Sequence, residues 1–128
     1  MMISQTDAIT HQLVALALDA ASLRHQAIAH NIANAHTAGF APARVDFEDQ
    51  LATVRAALSE GRRLQPAMLQ GVHAQLSHGL PQAGEDRSGE LDSQIAELAQ
   101  NTVQYQALLK ALGKQMAILS AAVNEGKR

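Results

Sequence analysis

Apolar residues recur along two long stretches of this chain with the spacing of a helix face. In the first, Ile9, Leu13, Leu16, Ala20, Leu23 and Ala27 follow alternating steps of four and three. That is the seam spacing of a coiled coil, and it predicts a helix over 8–36. A second stripe, Val14, Leu18, Ala21, Ile28 and Ile32, lies beside it. An apolar face this wide is more than one partner helix covers, so it asks for several neighbours. The second stretch holds the same alternation without a break through Leu91, Ile95, Leu98, Thr102, Tyr105, Leu109, Leu112, Met116, Leu119 and Val123. It predicts a helix over 91–128, roughly 50 Å long at about 1.5 Å per residue. Leu108, Ala111 and Ile118 again widen the face. Thr102 and Tyr105 soften the middle, as polar seam residues that set register often do.

Between these stretches the pattern breaks at Thr37, Ala38 and Gly39, followed by Pro42. A glycine just past a periodic run supplies the left-handed conformation that ends a helix. Asn31 and Asn34 sit in the last turn before the stop, where their amides compete for backbone groups. From Val45 to about Glu60, Phe47, Leu51, Val54 and Leu58 read as a short helix, with Asp46, Glu48 and Asp49 in its first turn. Residues 61–90 have no sustained period and are punctuated by Pro66, Gly71, Gly79, Pro81, Gly84 and Gly89. They are expected to form a flexible loop or a segment ordered on assembly, with Leu64 to Leu80 extended against a partner. Residues 1–7 are polar and expected to be disordered in isolation.

The expected fold is all-α. Long N- and C-terminal helices, 8–36 and 91–128, pair as an antiparallel coiled coil, because the first and last elements can bury their seams together. A turn and short helix (37–60) and a loop (61–90) lie between them. The seam residues are Leu13, Leu16 and Leu23 on one side and Leu98, Tyr105, Leu109, Leu112 and Met116 on the other.

Composition sharpens this picture. The 128 residues make one domain at most, and 47 % are apolar but only 2 % aromatic. Much of the apolar count is alanine, which suits helices meeting closely along a narrow seam and supplies little large-side-chain core. A net charge of −2 gives no electrostatic footprint for nucleic acid. No apolar run approaches the roughly 20 residues that span a bilayer. MMISQTDAIT lacks the basic and apolar regions of a cleavable signal, so composition alone points to the cytoplasm. Cysteine is absent, which removes disulfides and thiolate chemistry. His25, His30 and His36 are spaced by five and six, not the i, i+4 of a helical metal site, and His73 and His78 have no ligand set beside them. The carboxylates Asp46, Glu48, Asp49, Glu85 and Asp86 have no apolar surroundings to tune them. No phosphate loop or nucleophile motif occurs. The expectation is no enzyme, no metal, no cofactor and no small-molecule substrate.

The run Asn31-Ile32-Ala33-Asn34-Ala35, with Thr37, Gly39 and Phe40, resembles the signature of the flagellar rod, hook and hook–filament-junction (axial) protein family. Val45-Asp46-Phe47-Glu48 and Leu51 resemble that family's proximal-rod members more closely. Three positions depart mildly from the pattern: His36 stands for Asn or Asp, Ala38 for Pro, and Phe40 for Tyr. Leu98 to Leu112, with Asn101, Tyr105 and Gln106, and the ending Val123 to Arg128 are similar to the proximal-rod C-terminus. The Asn-x-Val that usually precedes its last helix is replaced by Gly89-Glu90-Leu91-Asp92. The resemblance covers 8–51 and 91–128.

It implies a structural subunit that polymerises through its terminal helices in the periplasmic rod of the flagellar basal body. Its implied partners are other rod subunits, the adaptor joining rod to membrane ring, the export gate and further copies of itself. It implies export through the flagellar type III apparatus with the N-terminus uncut, residues 1–7 belonging to the export signal. It also implies that Asn31, Ile32, Asn34, Thr37, Gly39, Phe40, Asp46 and Phe47 form an assembly and turn motif. The competing reading is an intracellular helical adaptor or flagellar export chaperone whose seams close a discrete dimer. Such a dimer has no need of the Asn31–Phe40 turn.

Overall fold

The computed structural model describes residues 5–81 and 88–126. Two long helices dominate it, α1 (Gln5–Ala33) and α3 (Ser88–Glu125). Between them lie a strand β1 (Ala43–Asp46), a 3-10 turn (Glu48–Leu51), the short helix α2 (Ala52–Ser59), a second 3-10 turn (Pro66–Leu69) and a strand β2 (Gln75–His78). α1 already includes residues 5–7, so the part of the N-terminus described here is helical and not the disordered lead-in its polarity suggested. Residues 1–4 lie outside the described residues, as do 82–87 of the expected loop.

The fold is mostly helical but not all-α. β1 and β2 pair antiparallel, with Ala43 opposite His78 and Asp46 opposite Gln75. The reason lies in residues 43–48, which alternate buried and exposed: Ala43, Val45 and Phe47 point inward, Arg44, Asp46 and Glu48 outward. This period of two is that of a strand with one covered face, and over residues 43–46 it prevails over the helical spacing that runs on from Phe47. Regular helix begins only at Ala52, so Asp46 ends a strand while Glu48 and Asp49 open the 3-10 turn. Residues 61–81 are likewise not a bare loop. Pro66 opens the second 3-10 turn, Leu69 is buried, and β2 finds its partner within the chain.

α1 is the spine. Near its start, Ile9 packs with Val54 and Leu69, flanked by Leu13, Leu51, Leu64 and Met68. Near its end, Ala27 packs with Ala43 and Val45, flanked by Leu23 and Ala74. The two clusters are about 27 Å apart along the helix axis. Alanines make the tightest contacts, Ala20, Ala21 and Ala57 being almost wholly buried, and among the described residues no large side chain is fully enclosed.

α3 lies along α1 on another side. Asn31 Nδ2 donates to Gln94 Oε1 (3.2 Å) and Asn101 Nδ2 to the Ala21 carbonyl (2.8 Å). The residue number thus falls along one helix as it rises along the other. Half of the expected seam turns inward: Leu91, Leu98 and Leu112 are half-buried, and Tyr105 and Leu119 lie at the edge. The alternate row is displaced by one residue. Gln94, Asn101, Leu108, Gln115 and Ala122 occupy it, in place of Ile95, Thr102, Leu109, Met116 and Val123. The amide bonds of Gln94 and Asn101 to α1 hold this rotation, and the small Ala20 and Ala21 permit the close approach. Ile95, Leu109, Met116 and Val123 are left 50, 45, 55 and 46 % exposed.

Asn101 is 3 % exposed, and its Oδ1 has no hydrogen-bond partner. Its one bond goes to a carbonyl in mid-helix, which is served by α1's own ladder as well. Asn101→Ala is therefore expected to cost less than about 1 kcal/mol in a urea melt, because it removes an unsatisfied acceptor and adds helix propensity.

Candidate functional site

The end of α1 is held by side-chain amides. The His30 carbonyl accepts both the Asn34 backbone N–H (3.1 Å) and Asn34 Nδ2 (2.9 Å). Thr37 donates its N–H to the Asn34 carbonyl (3.0 Å) and its hydroxyl to Asn34 Oδ1 (3.3 Å). The Phe40 ring meets His30 edge to face, with centroids 5.3 Å apart. Asn34, Thr37 and Phe40 thus converge on one corner.

Gly39 acts differently from the expectation. α1 stops at Ala33, and the turn over residues 34–36 takes up the carbonyls of His30 and Ile32. Gly39, at φ +73°, instead occupies the third position of a separate β-turn closed by Phe40 N–H to Thr37 O (3.3 Å). Only glycine adopts this conformation without strain. A Cβ there would meet nothing within 4 Å, so Gly39→Ala is expected to cost the backbone penalty alone, about 1 kcal/mol by thermal denaturation.

Asn31 reaches the other way. Its Nδ2 donates to the Ala43 carbonyl and its Oδ1 accepts the Ala43 N–H, both at 2.8 Å. The geometry of the ladder explains this. Gly79 N–H bonds Pro42 O (2.9 Å), so residues 42, 44 and 46 face β2, and Ala43 and Val45 turn their backbone groups to the outer edge. The Asn31 amide stands in for one residue of a third strand. Farther along the same edge, Arg24 donates to the Val45 carbonyl (3.3 Å) and grips both oxygens of Glu48 (2.9 Å each).

The remaining motif residues are scattered in role. Phe47 is buried, Ile32 half-buried, and Asp46 exposed at the end of β1. Of the seam residues, Leu13 joins the Ile9 cluster, Leu23 the Ala27 cluster, and Leu16 is half-buried between them. Arg24, Ala43 and Gln94 were not singled out by sequence. The alternation of residues 43–46 was the signal for Ala43, whereas nothing local marks Arg24 or Gln94.

Between β1 and α3 runs a trough of about 860 Å³ floored by Arg24 and Ala27 of α1. Asn31, bonded to both Ala43 and Gln94, stands at one end of it. Among the described residues, Asp46, Glu48, Asp49, Glu90 and Glu97 line it, with the cations Arg24 and Arg44. Such a surface suits a cationic chain. Among the described residues no cluster of three or more His, Cys, Asp or Glu could hold a metal ion, and no helix is long and apolar enough to cross a membrane. No protein-family profile and no curated protein matches the chain.

Proposed function

We propose that this chain is a structural subunit of the bacterial flagellar proximal rod, resembling the rod subunit FlgB, and that it polymerises through its terminal helices to build the drive shaft and its export channel. In the assembled state α1 and α3 form an antiparallel coiled coil. Copies of the chain and other rod subunits cover what that pair leaves open. The supporting observation is the row Ile95, Leu109, Met116 and Val123, about half exposed and extending roughly 42 Å along α3. A row this long and apolar is an interaction surface, and contacts between unlike faces of successive copies generate an open helical assembly. The Asn31–Phe40 signature supports the same reading. The adaptor to the membrane ring and the export gate are the further partners, and the chain reaches the periplasm by type III export with its N-terminus uncut.

The test is mass spectrometry of purified hook–basal bodies from the source cells. The expected result is this chain present in them with an intact N-terminus. Recovery from the cytosol alone would overturn the proposal in favour of a helical adaptor or export chaperone.

A further inference from the structure

The charges of this molecule are sorted along its length. Among the described residues the trough beside Asn31 carries Asp46, Glu48, Asp49, Glu90 and Glu97, and of its cations Arg24 and Arg44 the first is already engaged by Glu48. Toward the opposite end, cations outnumber the carboxylates Asp7 and Glu60 among the described residues. Arg55 lies on α2 next to Val54, which packs on Ile9, and Arg62 and Arg63 precede Leu64 of the same cluster. Continuing the Ala21–Asn101 pairing brings Lys110 and Lys114 level with about residues 12 and 8 of α1.

The trough also has a backbone specificity that a plain acidic patch lacks. The alternation that hands the Ala43 N–H and carbonyl to Asn31 turns the Val45 N–H to the same outer edge. A donor on a strand edge, set among carboxylates, fits an extended segment that offers a carbonyl and guanidinium groups together. The chain carries such a segment itself. Residues 62–65 have no helix or strand, Gln65 is extended at φ −120° and ψ 145°, and Arg62 and Arg63 are exposed. Arg62 leans on Glu60, an exposed pair of little strength, and Arg63 follows it, exposed.

We infer that the acidic trough of one copy receives the Arg62–Arg63 segment of a second copy. The donor segment packs near Ile9 and the trough is floored at Arg24, about 23 Å farther along α1. A neighbour displaced along the long axis therefore brings one patch to the other and leaves both outer patches free for the next copy. This head-to-tail direction rests on the rod reading above. The pairing of the two patches does not, because a two-fold dimer would also match them.

The experiment uses the purified full chain and two exposed charge reversals, Arg63→Glu and Glu97→Arg. Sedimentation velocity is followed over protein and salt concentration, and circular dichroism confirms that the helices of each variant persist. Wild type is expected to associate beyond a dimer at low salt. Each variant alone is expected to associate at least about tenfold more weakly, because each places like charges in the contact. An equimolar mixture of the two is expected to recover association, since every contact between unlike variants is again between opposite charges. A folding defect in either variant would not be repaired by mixing.

Wild type that stays monomeric, or association indifferent to both reversals, would overturn the inference and leave the rod reading to the basal-body measurement. Growth that halts at a dimer would overturn the head-to-tail arrangement. If Glu97→Arg alone blocks incorporation into basal bodies while Arg63→Glu is incorporated normally, the trough receives a different protein, and the second-copy inference fails.

Discussion

Asn31→Ala is expected to destabilise the protein by roughly 3 kcal/mol, lowering the thermal midpoint by about 12 °C. The side chain is 5 % exposed and bonds both backbone groups of buried Ala43, so its loss strands a donor and an acceptor together. The consequence should be local before it is global. Hydrogen exchange of the Ala43 amide should rise first, because its partner is the deleted oxygen. Asn31→Asp keeps an acceptor for the Ala43 N–H but loses the donor to the carbonyl, and should fall between wild type and Ala. The contrast with Asn101 is a strict check. Both asparagines are buried to a similar degree, yet one completes a strand edge and the other adds a bond to a carbonyl within a helix. Equal losses for Asn31→Ala and Asn101→Ala would mean that the strand edge is not what makes Asn31 necessary.

On the proposed rod reading, Leu109→Glu should abolish assembly while changing the stability of the isolated chain by no more than about 0.5 kcal/mol. Leu109 is 45 % exposed and belongs to the row that faces away from α1. A charge there remains in water in the free chain but would be buried without a partner once a neighbour covers the row. Leu112, one turn of the helix away, is half-buried towards α1. Leu112→Glu should instead lose about 2 kcal/mol in a urea melt of the monomer, before assembly is tested at all. Counting basal bodies by electron microscopy in complemented cells, with the exported chain measured beside them, separates the two effects. Normal basal bodies with Leu109→Glu would show that the exposed row is not an assembly surface.

The long helices were legible because their apolar spacing persists for many turns, and persistence is what distinguishes a helix from chance. The rotation of α3 was only half legible. Ile95, Leu109, Met116 and Val123 have the spacing of a seam, but spacing alone does not say whether a row meets its own chain or a neighbour. The amides of Gln94 and Asn101 decide this through partners 63 and 80 residues away. The strands were hidden for another reason. β1 is four residues long, and Phe47, Leu51 and Val54 supply a competing helical period immediately after it. β2 shows no sided burial at all, with Leu76 50 % exposed, so it is a strand only because β1 is there to pair with it. At the corner, Asn31 and Asn34 announced a side-chain task by their placement in a final helical turn. What they bind was not readable, since the Ala43 edge exists only once β1 has formed.

The separations spanned by the two buried asparagines also set an order of events in time. Asn31 closes a loop of 12 residues to reach Ala43, whereas Asn101 closes one of 80 to reach Ala21. Loop-closure entropy alone makes the second about 2 kcal/mol harder to form first. The corner at the end of α1 is thus placed to form early, and the docking of α3 to come late. Until that step the inward row of α3, Leu91, Leu98 and Leu112, stands uncovered together with the outward one. A chain emerging N-terminus first would meet this hazard only at the end, when α1 and the strand edge it carries are already in place to receive the last helix.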